Sequence, residues 1–208
     1  MKVLILGATG AVGRHLVEQG LSRGHQLTAL ARHAEKLQPS RLTVVPGNVL
    51  DPAAVEQAVA GQEAVIYAVG VSSPRRTTLF SDSTRILIDA MRRREVRRLV
   101  CITGVGAGDT KGHGGFLYDQ LAYPLITRHI YADKERQEAL IRESGLDWVI
   151  VRPTVFREGQ ARSPFRAVTD VTGVVLRRIA RAEVAQFTLE QLTDNRFLHQ
   201  TPFIGHEN

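Results

Sequence analysis

The sequence predicts a single α/β domain, residues 1–208, built on a doubly wound parallel sheet with helices on both faces. Short apolar runs alternate with segments of helical periodicity, which is typical of parallel strands joined by right-handed helical crossovers. The 208 residues are enough for one sizeable core and leave little room for a second. We expect the part from about residue 153 onwards to complete the substrate side of this domain.

The apolar runs locate the strands, and glycine and proline locate the helix ends. We expect strands at residues 3–6, 26–31, 42–45, 64–69, 98–103 and 148–151. Helices are expected at residues 11–22, 52–61, 83–94 and 132–143. Asp51 and Pro52 are a suitable N-cap and first residue for the second helix, and Gly24, Gly61 and Gly145 follow helices. Beyond Pro153 we expect a hairpin-like stretch near residues 169–176, a helix near 182–192 and a last strand near 197–201.

The composition is that of an ordinary globular protein, with 43% hydrophobic and 23% charged residues. No apolar run approaches the ~20 residues of a membrane span. Gly7 also interrupts the apolar N-terminal stretch, which argues against a secretory signal, so we expect a cytoplasmic protein without membrane contact. Cys101 is the only cysteine. It excludes an internal disulfide and is expected in the core.

The net charge of +6 favours anionic partners. The densest basic cluster lies where the third helix is expected to end, and no aromatic residue interleaves with it to stack on bases. We therefore interpret the cluster as solvated surface rather than as a nucleic-acid site. Its members are Arg92, Arg93, Arg94, Arg97 and Arg98.

Glycines recur in the turn between the first strand and the first helix. Gly7 permits a tight turn, Gly10 lets the backbone approach a pyrophosphate, and Gly13 lets the helix pack closely on the strand. The free amide groups at the start of the helix then face the phosphates. In this context the motif predicts a Rossmann-type dinucleotide site. The residues expected to bind there are Gly7, Thr9, Gly10, Ala11, Val12 and Gly13.

The residue after the second strand predicts which dinucleotide is bound. An NAD site places Asp or Glu there to hold the ribose 2′-hydroxyl. This chain has Arg32, whose guanidinium is suited to a phosphate and cannot accept a hydrogen bond. NADP(H) is therefore favoured over NAD(H), and the alternative is that Arg32 is a solvated loop residue.

These features resemble the atypical short-chain dehydrogenase/reductases of the NAD(P)H-binding, NmrA-like kind, which include biliverdin-IXβ/flavin reductases. The resemblance covers nearly the whole chain and rests on the glycine spacing and on residues 47–51, 144–153 and 179–185. The family usually has Asp where this chain has Asn48 and Glu183. The resemblance implies that Asn48 and Val49 lie against adenine. It also implies that Ala68, Val69 and Gly70 run along the ribose and the nicotinamide phosphates, and that Pro153, Thr154 and Val155 flank the nicotinamide.

The candidate catalytic residues are Thr103, Tyr131 and Lys134. Standard short-chain dehydrogenases place a Ser/Thr after strand five and a Tyr-x-x-x-Lys pair on the next helix, where the lysine lowers the tyrosine pKa. Thr103 and Lys134 match, but Ile130 occupies the tyrosine position and Tyr131 is three residues before the lysine. Tyr131 is thus either a proton donor or a residue that serves packing or substrate contact. Lys134 either contacts the cofactor ribose or pairs with Glu138 on the surface, and Thr103 is either a site residue or a strand-end residue.

The glycine-rich segment 104–129 is expected to be irregular and to cover the nicotinamide end as a lid. The alternatives are a surface loop or a subunit contact. Its polar residues Asp109, His113 and Asp119 do not have a metal-ligand spacing, so we predict no metal. His113 is interpreted as a polar loop residue rather than as a catalyst.

Two functions fit these observations. The first is an NADPH-dependent reductase that passes hydride to a conjugated small-molecule acceptor such as a flavin, quinone or tetrapyrrole, because such acceptors can dispense with a strict protein acid. The second is a non-catalytic NADP(H) sensor that regulates a protein partner. The missing tyrosine is compatible with both and argues against an ordinary alcohol dehydrogenase.

Overall fold

The computed structural model describes residues 1–33, 37, 41–71, 75–113, 128–162 and 164–207. The strands are β1 (Lys2–Leu6), β2 (Gln26–Ala31), β3 (Leu42–Pro46), β4 (Ala64–Tyr67), β5 (Arg98–Ile102), β6 (Asp147–Pro153), β7 (Phe156–Arg157), β8 (Arg166–Val168), β9 (Ile179–Ala180) and β10 (Phe203–Gly205). The helices are α1 (Ala11–Ser22), α2 (Pro52–Val59), α3 (Leu79–Arg93), α4 (Arg128–Arg142) and α5 (Arg181–Glu190).

Eight strands form one sheet in the order β3-β2-β1-β4-β5-β6-β10-β8. All neighbouring pairs are parallel except β10 with β8. From β1 the chain winds first towards β3 and then, through β4, in the opposite direction. The predicted doubly wound sheet is confirmed.

Helices cover both faces of this sheet. On one face α2, α3 and α4 pack on the strands through residues such as Val55, Leu87 and Ile141. On the other face α1 and α5 pack through residues such as Leu16 and Val184. The central strands β1, β4, β5 and β6 are almost completely buried between these layers, as is typical of parallel sheets.

Asp133 explains why α3 begins earlier than its sequence pattern suggests. The helix starts at Leu79 rather than at Ser83. A carboxylate oxygen of Asp133, on α4, accepts hydrogen bonds from the backbone N–H groups of Phe80 (2.8 Å) and Ser81 (3.4 Å). This cap comes from a residue more than fifty positions away, so local sequence does not reveal it.

Two predictions for the C-terminal part were wrong. Residues 169–176 form no hairpin of their own: they contain a turn, in which Val174 N–H donates to the Val171 carbonyl, and the antiparallel partner of β8 is β10. The last strand is β10 rather than residues 197–201. Phe197 instead packs its ring 5.6 Å from that of Phe187, so its apolar character reflects a core contact.

The side chains of the arginine cluster form ion pairs and hydrogen bonds with other parts of the chain. Three of its members pair with carboxylates of other elements, and the other two donate to backbone carbonyls. The contacts are Arg93 and Arg94 with Glu56, Arg97 with Asp147, Arg92 with the Ser144 carbonyl, and Arg98 with the Gln191 carbonyl. Cys101 is buried and unpaired, as predicted. In the described ranges no helix has the length and apolar character needed to cross a membrane.

Candidate functional site

A cavity of about 650 Å³ opens at the sheet edge where β1 to β5 end. Its wall includes the residues that follow these strands: Gly7, Arg32, Asn48, Ala68 and Thr103. Because β1 and β4 lead into crossovers of opposite direction, the cavity lies where the winding reverses. Doubly wound sheets bind ligands at this point.

The glycine-rich turn forms the centre of the wall. Gly7 has a φ of +90°, and a Cβ atom added to it would lie 2.4 Å from the Ala68 carbonyl oxygen. A Cβ atom on Gly13 would lie 2.0 Å from the Gly7 carbonyl oxygen. Gly13 is not among the lining residues; its role is to let α1 approach β1. Thr9, Gly10, Ala11 and Val12 line the cavity.

The end of the cavity next to β2 and β3 combines a cation with apolar surface. Arg32 is exposed and lines the cavity together with Asn48 and Val49. The Asn48 side chain accepts a hydrogen bond from the Leu50 backbone N–H (3.1 Å), which fixes the turn after β3. Leu50, which the sequence analysis did not select, also lines the cavity and is 43% exposed. This exposed side chain makes part of the wall at this end of the cavity apolar.

The next part of the wall follows β4. Ala68, Val69 and Gly70, which the family resemblance places along the ribose and the nicotinamide phosphates, all line the cavity. Ala68 N–H donates to the Leu6 carbonyl (2.8 Å). The backbone after β4 therefore lies directly against the start of the glycine-rich turn.

Lys134 and Tyr131 project from α4 to the end of β5. The Lys134 ammonium donates to the Thr103 carbonyl and lies 5.9 Å from the centre of the Tyr131 ring, so the two side chains share one helix face. A Cβ atom built on Gly104 would lie 2.9 Å from the Tyr131 hydroxyl oxygen. The hydroxyl is thus held beside the backbone just after β5. Lys134 lines the cavity, whereas Tyr131 is not among the lining residues.

The surroundings of Lys134 lower the pKa of its ammonium group. Burial lowers its pKa to about 8, although the nearby Cys101 and Glu138 act in the opposite direction. The ammonium also lies 5.1 Å from the centre of the Phe80 ring. The expected alternative, a surface pair with Glu138, is not what the structure has.

Glu138 instead anchors a buried polar cluster beneath the end of β5. It is 1% exposed and accepts hydrogen bonds from Thr103 Oγ1 (2.7 Å), Arg142 Nη2 (2.8 Å) and two guanidinium nitrogens of Arg152 (2.6 and 3.1 Å). Burial alone would raise the pKa of Glu138, but the Arg152 hydrogen bonds and charge, with help from Thr103 and Arg142, lower it below its ordinary value. The Thr103 hydroxyl proton therefore points into this cluster.

The described part of the glycine-rich loop is tied to the body of the domain. Asp109 pairs with Arg152, Lys111 pairs with Glu135 (2.6 Å), and the His113 ring contacts the Val174 carbonyl (3.2 Å). Residues 108–110 form a turn of 3₁₀ helix. Residues 114–127, including the remainder of the expected lid, lie outside the described residues. Helix α4 begins at Arg128, four residues earlier than expected.

One part of the cavity wall differs from the expectation that residues 153–155 flank the nicotinamide. Pro153, Thr154 and Val155 are not lining residues. Their polar groups are used within the fold: the Thr154 hydroxyl donates to the Arg177 carbonyl (2.8 Å), and the Val155 carbonyl accepts from Ile179 N–H (3.2 Å). The wall is formed there by Phe156 and Arg181, which the sequence analysis did not select. Arg181 belongs to the motif at residues 179–185, which was the available signal.

The charges of the cavity have one sign. Among the described residues that line it, the ionisable ones are Arg32, Lys134 and Arg181, and none is an aspartate or glutamate. A ligand with several phosphate groups fits such a wall, since each cation can face an anionic oxygen.

Comparison with known families identifies this architecture. Residues 7–195 match the family described as NAD(P)H-binding. The chain belongs to this family. The match includes the glycine-rich turn and every cavity-lining residue named above.

Relatives found by sequence are longer than the stretch that matches this chain. An uncharacterised protein from Mycobacterium tuberculosis is 27% identical over 152 residues, which are 73% of this chain and 14% of that protein. The chain thus spans only a small part of this relative's length.

Solved structures share the whole fold. The anaerobilin reductase ChuY from Escherichia coli O157:H7 is 21% identical with a TM-score of 0.83, covering all of this chain and 98% of ChuY. A short-chain dehydrogenase/reductase from Veillonella parvula in complex with NADP is 18% identical with a TM-score of 0.82, covering all of this chain and 95% of that protein. The NAD(P)H-binding chain described here therefore has the fold of Rossmann-type reductases.

Proposed function

We propose that the protein is an NADPH-dependent reductase that passes hydride to a conjugated acceptor such as a flavin, a quinone or a tetrapyrrole. The observation that supports this most directly is the cavity itself. It places a cation at the end near β2, an unobstructed glycine turn at its centre and a lysine at the end near β5. A bound dinucleotide would lie along these three features in that order.

NADP(H) rather than NAD(H) is the proposed cofactor. Arg32 stands where an NAD-binding site needs a carboxylate, and no acidic residue among the described lining residues replaces it. A guanidinium can donate two parallel hydrogen bonds to a 2′-phosphate. The NADP-bound Veillonella structure shows that this fold accommodates that dinucleotide in a relative.

Each part of the wall has a proposed task. The amide groups of the glycine-rich turn bind the pyrophosphate, and Lys134 holds the ribose near β5 through its ammonium. The bound cofactor supplies the hydride. Tyr131 does not line the cavity, but its hydroxyl lies beside Gly104 just after β5 and would hold a proton for an acceptor bound there. Thr103, whose hydroxyl faces Glu138, positions Lys134 through its carbonyl. The protein mainly holds donor and acceptor together, which is a large part of such catalysis.

The test is a turnover assay with purified protein, NADPH and a panel of flavins, quinones and linear tetrapyrroles. We expect loss of the reduced-nicotinamide absorbance with at least one acceptor, at a rate well above the protein-free background. Absence of turnover with every acceptor would refute the reductase. Strong discrimination between the oxidised and reduced cofactor without turnover would instead identify a dinucleotide sensor.

Tyr131→Phe should lower kcat about tenfold and leave the Kd of NADPH unchanged. This is less than a well-aligned general acid contributes, because Tyr131 stands three rather than four residues before Lys134. Tyr67→Phe is the control, since the Tyr67 hydroxyl bonds Ser83 (2.7 Å) inside the core. Equal kcat for the wild type and Tyr131→Phe would exclude a proton-donor role.

NADPH binding should weaken as the pH rises through about 8, the pKa to which burial lowers Lys134. The ammonium is positive below this pH and attracts the anionic ligand, whereas the neutral amine above it does not. Fluorescence titration between pH 7 and pH 10 measures the dependence. In Lys134→Met the Kd of NADPH should be higher than in the wild type at pH 7 and nearly constant over this range. A wild-type Kd without any pH dependence would contradict the role assigned to Lys134.

A further inference from the structure

Arg181 and Phe156 form a pair on the wall of the cavity that the glycine-rich turn also lines. Parallel pairing of β7 with β9 places Phe156 next to Ile179, and Arg181 follows β9 directly as the first residue of α5. The guanidinium carbon lies 5.2 Å from the centre of the Phe156 ring. Phe156 is 37% exposed, which is unusual for so large an apolar side chain. The ring therefore supports the guanidinium at the cavity surface.

The acidic partner of Arg181 is held only weakly. Arg181 Nη1 donates to Glu158 Oε1 at 2.6 Å, but the Glu158 side chain is 89% exposed, against 28% for Arg181. An ion pair to so exposed a carboxylate contributes little stability. Glu158 is not a lining residue, whereas Arg181 is. An anionic ligand inside the cavity can therefore replace Glu158 as the partner of Arg181 at little cost.

The position of α5 indicates which anionic group Arg181 faces. α5 packs against α1 on the same side of the sheet, and Gln19 Nε2 of α1 donates to the carbonyl of Ala182, the residue after Arg181 (2.9 Å). This contact is near the C-terminal end of α1, but Arg181 itself lines the same cavity as Ala11 and Val12, the first two residues of α1. Arg32, in contrast, follows β2. The group expected at the start of α1 is the pyrophosphate.

We propose, on the basis of the proposed function, that Arg181 binds the pyrophosphate of the dinucleotide together with the glycine-rich turn and releases Glu158 in doing so. The phosphates are then held between backbone amides and a guanidinium. Because NAD(H) and NADP(H) share the pyrophosphate, Arg181 contributes to the affinity for both. Arg32 contributes to the affinity for NADP(H) alone.

The first experiment compares the Kd of NADPH and of NADH for the wild type and Arg181→Gln. Both Kd values should rise about tenfold, the usual effect of losing one charge-assisted hydrogen bond. Arg196→Gln is the matched control: Arg196 also pairs with a carboxylate, Asp194 (2.9 Å), and lies 5.5 Å from the centre of an aromatic ring, Phe197, but it is not a lining residue. It should leave both Kd values unchanged, and thermal melts check that each variant folds.

The second experiment uses Glu158→Gln, for which a change of opposite sign is expected. Removing the competing carboxylate should tighten both dinucleotides up to about fivefold, the value of a surface ion pair. This gain should vanish in the Arg181→Gln background. Unchanged Kd values in Arg181→Gln, or weakening of NADPH alone, would overturn the proposal while the proposed function stands. A wild type that binds neither dinucleotide would overturn both.

Discussion

Arg32→Glu is expected to raise the Kd of NADPH about a hundredfold and to leave that of NADH unchanged or lower. One charge-assisted hydrogen bond to the 2′-phosphate accounts for roughly tenfold or more, and repulsion between the new carboxylate and the phosphate adds to it. The same carboxylate can accept from the 2′-hydroxyl of NADH, as in NAD-binding relatives of this fold. The measurement is a pair of fluorescence titrations for each variant.

Arg23→Glu is the control for this prediction. It makes the same charge change at the C-terminal end of α1, away from the carboxyl edge of the sheet. General electrostatic attraction would make the two variants equally weak towards NADPH. An Arg32→Glu variant that binds NADPH and NADH with wild-type affinities would show that Arg32 is a solvated loop residue.

Gly7→Ala is expected to destabilise the protein by about 3 kcal/mol or more and to abolish dinucleotide binding. A Cβ at this position would lie 2.4 Å from the Ala68 carbonyl oxygen and 2.8 Å from the Val69 nitrogen. The strands β1 and β4 would have to separate to relieve this overlap, and overpacking of this kind costs about 1–3 kcal/mol. The φ of +90° adds about 1–2 kcal/mol of backbone strain.

Gly24→Ala separates these two contributions. Gly24 has a φ of +78°, but no atom lies within 4 Å of where its Cβ would be. This variant should therefore lose only the backbone part, about 1 kcal/mol, and keep its affinity for the dinucleotide. Urea denaturation measures both values. If the two variants lost equal amounts of unfolding free energy, the close approach of position 7 to Ala68 would not be what requires a glycine in this turn.

The strands and helices up to β6 could be predicted because each has a local signal. The apolar run of β1 and the Asp51 cap of α2, which accepts from Ala53 N–H (3.0 Å), are both visible in sequence. The errors arose where contacts with residues distant in the sequence determine the bounds of an element. Asp133 extends α3, and β10 is defined by pairing with β6 and β8 rather than by its own three residues.

For the site, too, the residues with a local sequence signal could be predicted and those positioned by distant contacts could not. Residues that follow strands, such as Arg32 and Ala68, could be located because the carboxyl ends of parallel strands meet at one edge. Arg181 and Phe156 come to this edge through the short β7–β9 pairing, for which neither segment has a periodic pattern. Likewise, sequence spacing suggested Glu138 as a partner for Lys134, but the distant Arg152 binds it instead.

Calorimetric titration of the purified protein with NADPH and with NADH tests the central claim most directly, namely that the cationic cavity behind the glycine-rich turn holds NADP(H). We expect saturable binding at one site per chain, tighter for NADPH, with the preference lost in Arg32→Glu. Absence of saturable heat with either dinucleotide at millimolar concentration, in protein that unfolds cooperatively, would contradict it.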